Sequence, residues 1–156
     1  MNDYDILDQD TEGGRIFDEY LDADETVIGY FKPNKKRYLR AFWMFALPIF
    51  WPHMAIIFAL TLGIVPILFV KKGYDNRWYA YTNKRVIVRG GSFGVSYSSI
   101  DYKDIVNVDA STSFLDRRTH TGSIEFRTQH RTVGFLYIEN PYDVLREIRQ
   151  YMANNT

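Results

Sequence analysis

The sequence predicts a mainly β domain closed by a C-terminal capping helix, with a helical membrane hairpin set into it. Three observations carry that reading. Residues 41 to 70 hold thirty positions without one Lys, Arg, Asp or Glu. From residue 77 onward apolar residues recur with period two, the spacing of half-buried strands. Beyond Asn140-Pro141 the spacing changes to that of an amphipathic helix.

The uncharged run is too long and too uniformly apolar for a buried helix of a globular domain, since a polar face is missing throughout. Forty residues precede it and no small-residue cleavage site follows, which excludes a secretory signal peptide. Pro48 and Pro52 interrupt any continuous helix. Pro52 suits the first turn of a second helix from His53 to Lys71, roughly 28 Å long at 1.5 Å per residue. A first helix begins near Lys35. Arg40 then lies at the near interface, and Trp51 and His53 at the far one. Both flanks are basic, with Lys32, Lys35, Lys36, Arg37 and Arg40 before the run and Lys71, Lys72 and Arg77 after it. Basic flanks stay cytoplasmic, so the segment over 35–72 is read as a hairpin, with a single kinked span as the alternative. The expected location is the cell membrane, integral, with the β domain and both termini cytoplasmic.

Strands are expected at Thr26 to Phe31, at 77 to 82 and at 85 to 89, the last two joined by Asn83-Lys84. Gly90-Gly91 marks a turn. Phe93, Val95 and Tyr97 then alternate with small or polar residues, as do Val106, Val108 and Ala110. Ile124 and Phe126 point inward from the next strand, and Val133, Phe135 and Tyr137 from the last, where Leu136 and Ile138 make the other face apolar too. In the closing helix Asn140 caps and Pro141 takes the first position. Asp143 lies in the first turn, and Val144, Leu145, Ile148, Tyr151 and Met152 form one stripe. The domain therefore comprises 25–34 and 73–153, preceded by an arm over 1–24.

Zero net charge conceals an asymmetry. Residues 1 to 25 carry ten acids and one base, leaving eighteen bases against nine acids in the remainder. The arm reads either as a solvated tail or as a segment that folds back on a basic surface or a partner. Ile16, Phe17, Tyr20 and Leu21 fit a short amphipathic helix within it.

The order of these pieces resembles the bacterial pleckstrin-homology-like domain of short, membrane-flanked proteins. The resemblance lies in Tyr79-Ala80-Tyr81-Thr82-Asn83-Lys84-Arg85-Val86-Ile87-Val88 followed by Gly91, and in Ile100 to Val108. It continues through Ser113-Phe114-Leu115, Thr121-Gly122-Ser123-Ile124 and Ile138-Glu139-Asn140-Pro141, spanning about 25 to 152. At 119–122 the chain has Thr-His-Thr-Gly where the family usually has a second glycine. The resemblance implies a seven-stranded PH-like antiparallel barrel or sandwich under a C-terminal helix, at the cytoplasmic face of a prokaryotic membrane. It implies no catalytic activity, and shared fold does not transfer a ligand.

Chemistry-bearing motifs are few. Cysteine is absent, which excludes disulfides and thiolate metal sites. The three histidines have no partners at ligand spacing, so no metal or cofactor is expected. Gly90-Gly91-Ser92-Phe93-Gly94 satisfies G-x-S-x-G, but a nucleophile elbow needs a helix after the turn and a strand pattern follows here. A serine hydrolase centred on Ser92, with Asp104, Asp109 or Asp116 and His120 or His130 as partners, is the enzymatic alternative. The candidate anion- or lipid-binding residues are Lys71, Lys72, Arg77, Lys84, Arg85, Arg117 and Arg118. Bases beside a membrane gain about 1 kcal/mol each from anionic lipid. The aromatics alternate as core strands and the bases are scattered, which argues against nucleic acid. The expected function is a non-enzymatic, membrane-anchored interaction module facing a protein partner or anionic lipid headgroups. An oligomeric scaffold is a further alternative.

Overall fold

Alternation over short runs produces two antiparallel sheets whose inner faces share one core. The computed structural model describes residues 15–46, 56, 64–117 and 119–154. The first sheet has the order β1 (Val27–Phe31), β2 (Trp78–Thr82), β3 (Arg85–Gly90), β4 (Ser96–Asp101). The second is β5 (Asn107–Ser111), β6 (Thr121–Arg127), β7 (Thr132–Glu139). Tyr79, Tyr81, Val86 and Ile100 of the first sheet meet Ile124, Phe126, Val133, Phe135 and Ile138 of the second. The helix that follows β7, Pro141–Asn154, adds Val144, Leu145 and Ile148 to the same core. Asn83-Lys84 closes the β2–β3 hairpin in two residues, with Tyr81 opposite Val86.

Several strands differ in detail from the alternation. Phe93 and Val95 lie in the β3–β4 turn, and Phe93 is 91% exposed. Strand β4 starts only at Ser96, and its inward residue is Ile100. Val106 precedes β5 and is exposed. In β7 the register slips, with Gly122 opposite Ile138 but Ile124 opposite Phe135. The extra residue is a bulge, and Tyr137 takes a left-handed φ of 58° there. This sends Ile138 into the core in place of Tyr137, whose ring instead lies under the Arg37 guanidinium, 4.7 Å from its centroid.

The outer face of the first sheet is covered as well. Ala80 and Ile87 are buried there beneath Phe17, which is itself fully buried. Tyr20 stacks on Tyr97 with centroids 4.7 Å apart, and its hydroxyl shares a hydrogen bond with Ser99. Among the described residues of the arm, Asp18–Tyr20 form a 3-10 turn in place of the amphipathic helix expected over Ile16 to Leu21, and the apolar residues face the sheet. After it, Glu25 is buried, accepting hydrogen bonds from the Arg85 guanidinium at 2.6 and 2.9 Å and from the Thr82 hydroxyl at 2.7 Å. The segment 15–25 thus folds back on the domain.

Between β1 and β2 the described residues hold α1 (Lys35–Ala46) and α2 (Ile64–Asp75), and Ile56 between them is helical too. Among the described residues no helix is long and apolar enough to cross a membrane. The helical membrane hairpin expected over 35–72 is corrected accordingly, and the fold class is mainly β with a C-terminal helix. The integral cell-membrane location that rested on the hairpin is corrected with it. Residues 47–55 and 57–63, including Trp51 and His53, lie outside the described residues.

The domain-side ends of both helices are built into the β domain. Asn34 donates its backbone N–H to the Tyr137 carbonyl and its side-chain amide to Glu139. Arg37, expected only as a flanking charge, is buried in an ion pair with Asp116. Asp116 belongs to a short helix, α3 (Phe114–Arg117), and also accepts from the Ser113 amide at 3.0 Å. Tyr38 meets Tyr74 across the helix pair, with ring centroids 5.5 Å apart. The C-terminal helix Pro141–Asn154 is α4 in this order.

Removing one member of a buried ion pair strands the other charge. Asp116→Ala is expected to lose about 3–5 kcal/mol of stability, and Arg37→Met/Asp116→Leu much less than the sum of the single changes. Urea unfolding of the three variants measures this, and additive losses would dismiss the coupling. A second prediction concerns acid. Burial pushes the Glu25 carboxyl up, but hydrogen bonds from Arg85, Thr82 and the Asp22 amide outweigh it, together with the Arg85 charge. They hold the carboxyl below its ordinary value of 4.5. A carboxyl depressed in the folded state stabilises fully above its unfolded value and loses that contribution as pH falls through the folded one. Glu25→Gln is therefore expected to cost roughly 3 kcal/mol at neutral pH and to flatten the decline below pH 4.5. Parallel stability–pH curves for the two proteins would refute it.

Candidate functional site

The candidate bases do not converge on one place. Lys84 and Arg85 sit at the β2–β3 turn, where the arm's acids already meet them. The hydrogen bond from Lys84 lowers the Asp24 carboxyl, and the same bond raises the Lys84 ammonium. A cavity of about 250 Å³ beside them is lined by Asp22, Asp101 and Lys103 as well, so its charges largely cancel. Arg117 belongs to a second place, a cleft of about 260 Å³ shared with His120 and the start of α4. Arg118 lies outside the described residues.

The third place is the helix pair. Lys71 and Lys72 are exposed on α2, and neither has an ion-pair partner among the described residues. Arg77, counted with them from the sequence, is different. Its Nε is buried without a hydrogen-bond partner, packed so close to Gly90 that a Cβ there would come within 3.2 Å. Burial pushes the neighbouring Tyr79 hydroxyl up to about 12, against the opposing charge and hydrogen bond of Arg77. Arg77 is thus a wall of the domain more than a surface base. On α1, Arg40 is exposed together with Lys35 and Lys36. Lys32 lies over the Trp78 ring, 4.2 Å from its centroid. Between residues 32 and 77 the sequence carries eight bases and a single acid, Asp75.

Beside these bases lies exposed apolar surface. Ile67, Leu68 and Phe69 of α2 are 50%, 59% and 39% exposed. Phe69 makes an edge contact with Phe93, centroids 5.0 Å apart, and Val95 is exposed in the same turn. Ile67 and Leu68 stand one helical turn from Lys71 and Lys72, on the same faces of α2. The turn that presents Phe93 is held from behind. Gly91 adopts φ 131°, a conformation open to glycine, and its carbonyl accepts from the Asn76 side chain at 2.9 Å. The Ser92 hydroxyl fits against Gly73, where any Cβ would intrude. Strand periodicity over 93–97 would turn Phe93 and Val95 inward, whereas both stand exposed in the turn. What the sequence does hold is the glycine pair, which ends β3 before Phe93.

Ser92 therefore occupies a strand–turn–strand, and β4 follows where an elbow needs a helix. Asp116 is engaged by Arg37, and no hydrogen bond links Ser92 to a histidine or carboxylate among the described residues. Among those residues no three His, Asp or Glu side chains gather as metal ligands would.

The family model for the bacterial PH domain matches residues 27–152. Two solved structures are similar. One is a DUF1696 family protein with a pleckstrin-homology domain from Shewanella loihica PV-4, at 10% identity and TM-score 0.48, over 88% of this chain and 91% of that one. The other is a pleckstrin homology domain from Shewanella amazonensis SB2B, at 15% identity and TM-score 0.49, over 91% and 99%. No curated protein matches the chain. The match over 27–152 takes in all seven strands and most of α4, and this chain belongs to the bacterial PH domain family.

Proposed function

We propose that this PH-like domain is an interaction module that docks on anionic lipid headgroups through the α1–α2 helix pair and the β3–β4 turn. The observation that carries the reading is the adjacency of exposed Ile67, Leu68, Phe69 and Phe93 to Lys71 and Lys72, which have no ion-pair partner among the described residues. Apolar side chains at this density on a surface mark an interaction site. Next to bases they suit the boundary between headgroups and acyl chains, where the apolar groups insert shallowly and the ammonium groups meet phosphates. The contact is peripheral and needs no crossing. Lys84 and Arg85 take no part, since Asp24 and Glu25 hold them.

At about 1 kcal/mol per base, Lys71→Gln/Lys72→Gln is expected to weaken binding to phosphatidylglycerol vesicles roughly thirtyfold. Phe93→Ser is expected to weaken it without changing the salt dependence, because it removes insertion and leaves the charges. Co-sedimentation with vesicles at stepped salt measures both. Equal binding to phosphatidylcholine and phosphatidylglycerol, or none to either, would overturn the lipid reading. A protein retained through the same side chains would replace it with a protein partner.

A further inference from the structure

A cleft of about 490 Å³ opens beside the end of β4 that is remote from the β3–β4 turn. Small-molecule sites have volumes of roughly 300–1,000 Å³. Ile100, the inward residue of β4, and Val106, which is 69% exposed, give the cleft an apolar part. Lys103, His130 and Arg131 give it donors, and Asp104 is the one acid in its lining.

Both walls are fixed by hydrogen bonds. One is the 3-10 turn Tyr102–Asp104, where the Tyr102 N–H donates to the Lys84 carbonyl at 3.0 Å and its hydroxyl to the Thr82 carbonyl at 2.7 Å. The other is the β6–β7 turn. There the Thr128 N–H donates to the Arg131 carbonyl at 2.9 Å, and the Thr128 hydroxyl accepts from the His130 and Arg131 amides at 3.3 and 3.1 Å. The Val106 N–H, donated to the Arg127 carbonyl at 2.8 Å, ties the two walls together. Donors carried on fixed backbone cost less ordering when a ligand arrives.

The protein does not use up these donors itself. Arg131 donates to the Ser99 carbonyl and meets no carboxylate among the described residues. The Lys103 ammonium lies 3.8 Å from Asp101, in an exposed pair that is worth little. No base pairs with Asp104 among the described residues. Lys103 and Arg131 against Asp104 leave the lining one positive charge in excess. A guanidinium fork, an imidazole and an ammonium offer more donors than the two oxygens of a carboxylate use. They suit the three terminal oxygens of a phosphate monoester.

We infer that this cleft binds a phosphate monoester with a small apolar body. Arg131, His130 and Lys103 meet the phosphate, and Ile100 and Val106 meet the body. The turn assigned above to the bilayer lies at the other end of β4, so the ligand reaches the cleft as a solute. The site itself does not depend on the lipid reading.

Phenyl phosphate titrated into the full chain, followed by amide resonances, tests this. The amides of Lys103 to Val106 and Thr128 to Arg131 are expected to shift together and to saturate. Arg131→Gln is expected to weaken binding about tenfold, and Lys103→Gln less. Asp104→Asn is expected to bind several-fold tighter, because it removes the repelling charge. That gain cannot be mimicked by a variant that fails to fold. No saturable shift up to millimolar phenyl phosphate, or unchanged affinity in Arg131→Gln, overturns the inference. Benzoate bound as tightly overturns the choice of phosphate, and inorganic phosphate bound as tightly overturns the apolar contact. Arg131→Gln is expected to match the parent on phosphatidylglycerol vesicles, and loss of vesicle binding in that variant overturns the assignment to a solute.

Discussion

The pairing of β1 with β2 governs the rest of the molecule. Phe31 lies opposite Tyr79, so the chain leaves the sheet after Phe31 and returns to the same end of it before Trp78. Everything between is a closed loop, and closure costs entropy that rises only slowly with length. Contacts at the base of the loop offset that cost. Phe31 reaches across to Phe135, with centroids 5.2 Å apart, and Arg37 is buried on Asp116. Because both ends of the loop are fixed, bases that the sequence spreads on either side of residues 41–70 are collected on one helix pair. Their convergence is a product of strand pairing.

Charge is organised by position, and this decides which bases remain available. At the β2–β3 turn, acids and bases from distant parts of the chain neutralise one another and tie the arm to the domain. There Glu25 does structural work. On the helix pair the bases keep their charge facing outward, beside apolar side chains that nothing described covers. Arg37 and Arg77 show how little sequence proximity says about role. Both belong to the basic flanks, yet Arg37 is a buried structural cation and Arg77 a packed wall residue, while Lys71 and Lys72 are open.

Legibility in the sequence followed the physics of each element. The β2–β3 hairpin, the inward Ile124 and Phe126 and the stripe of α4 were readable because one local period determines each. Phe93 and Val95 obey the strand period but lie in a turn, since Gly91 ends the pairing before them. Tyr137 and Ile138 exchange faces through a bulge, which no alternation pattern announces. The run of uncharged residues suggested a bilayer crossing from composition alone. It could not reveal that Asn34, Arg37 and Asn76 at its margins are committed to the β domain through partners up to 105 residues away. Likewise the arm's acids advertised a basic target, but only the tertiary fold selects Lys84 and Arg85. Long-range pairings of single side chains leave no periodic trace.

The burial of Phe17 beneath β2 and β3 has a consequence for biosynthesis. Its covering surface comes from Ala80 and Ile87, and the Tyr97 hydroxyl that holds the neighbouring Ile16 carbonyl emerges later still. At about 5–20 residues per second, the ribosome delivers those partners several seconds after Phe17 itself. During that interval β1 also has no strand to pair with, and the earliest part of the chain waits for the later part. The acids surrounding Phe17 and Tyr20 then serve a purpose before any fold exists, keeping an aromatic segment hydrated and apart from other nascent chains until its sheet arrives.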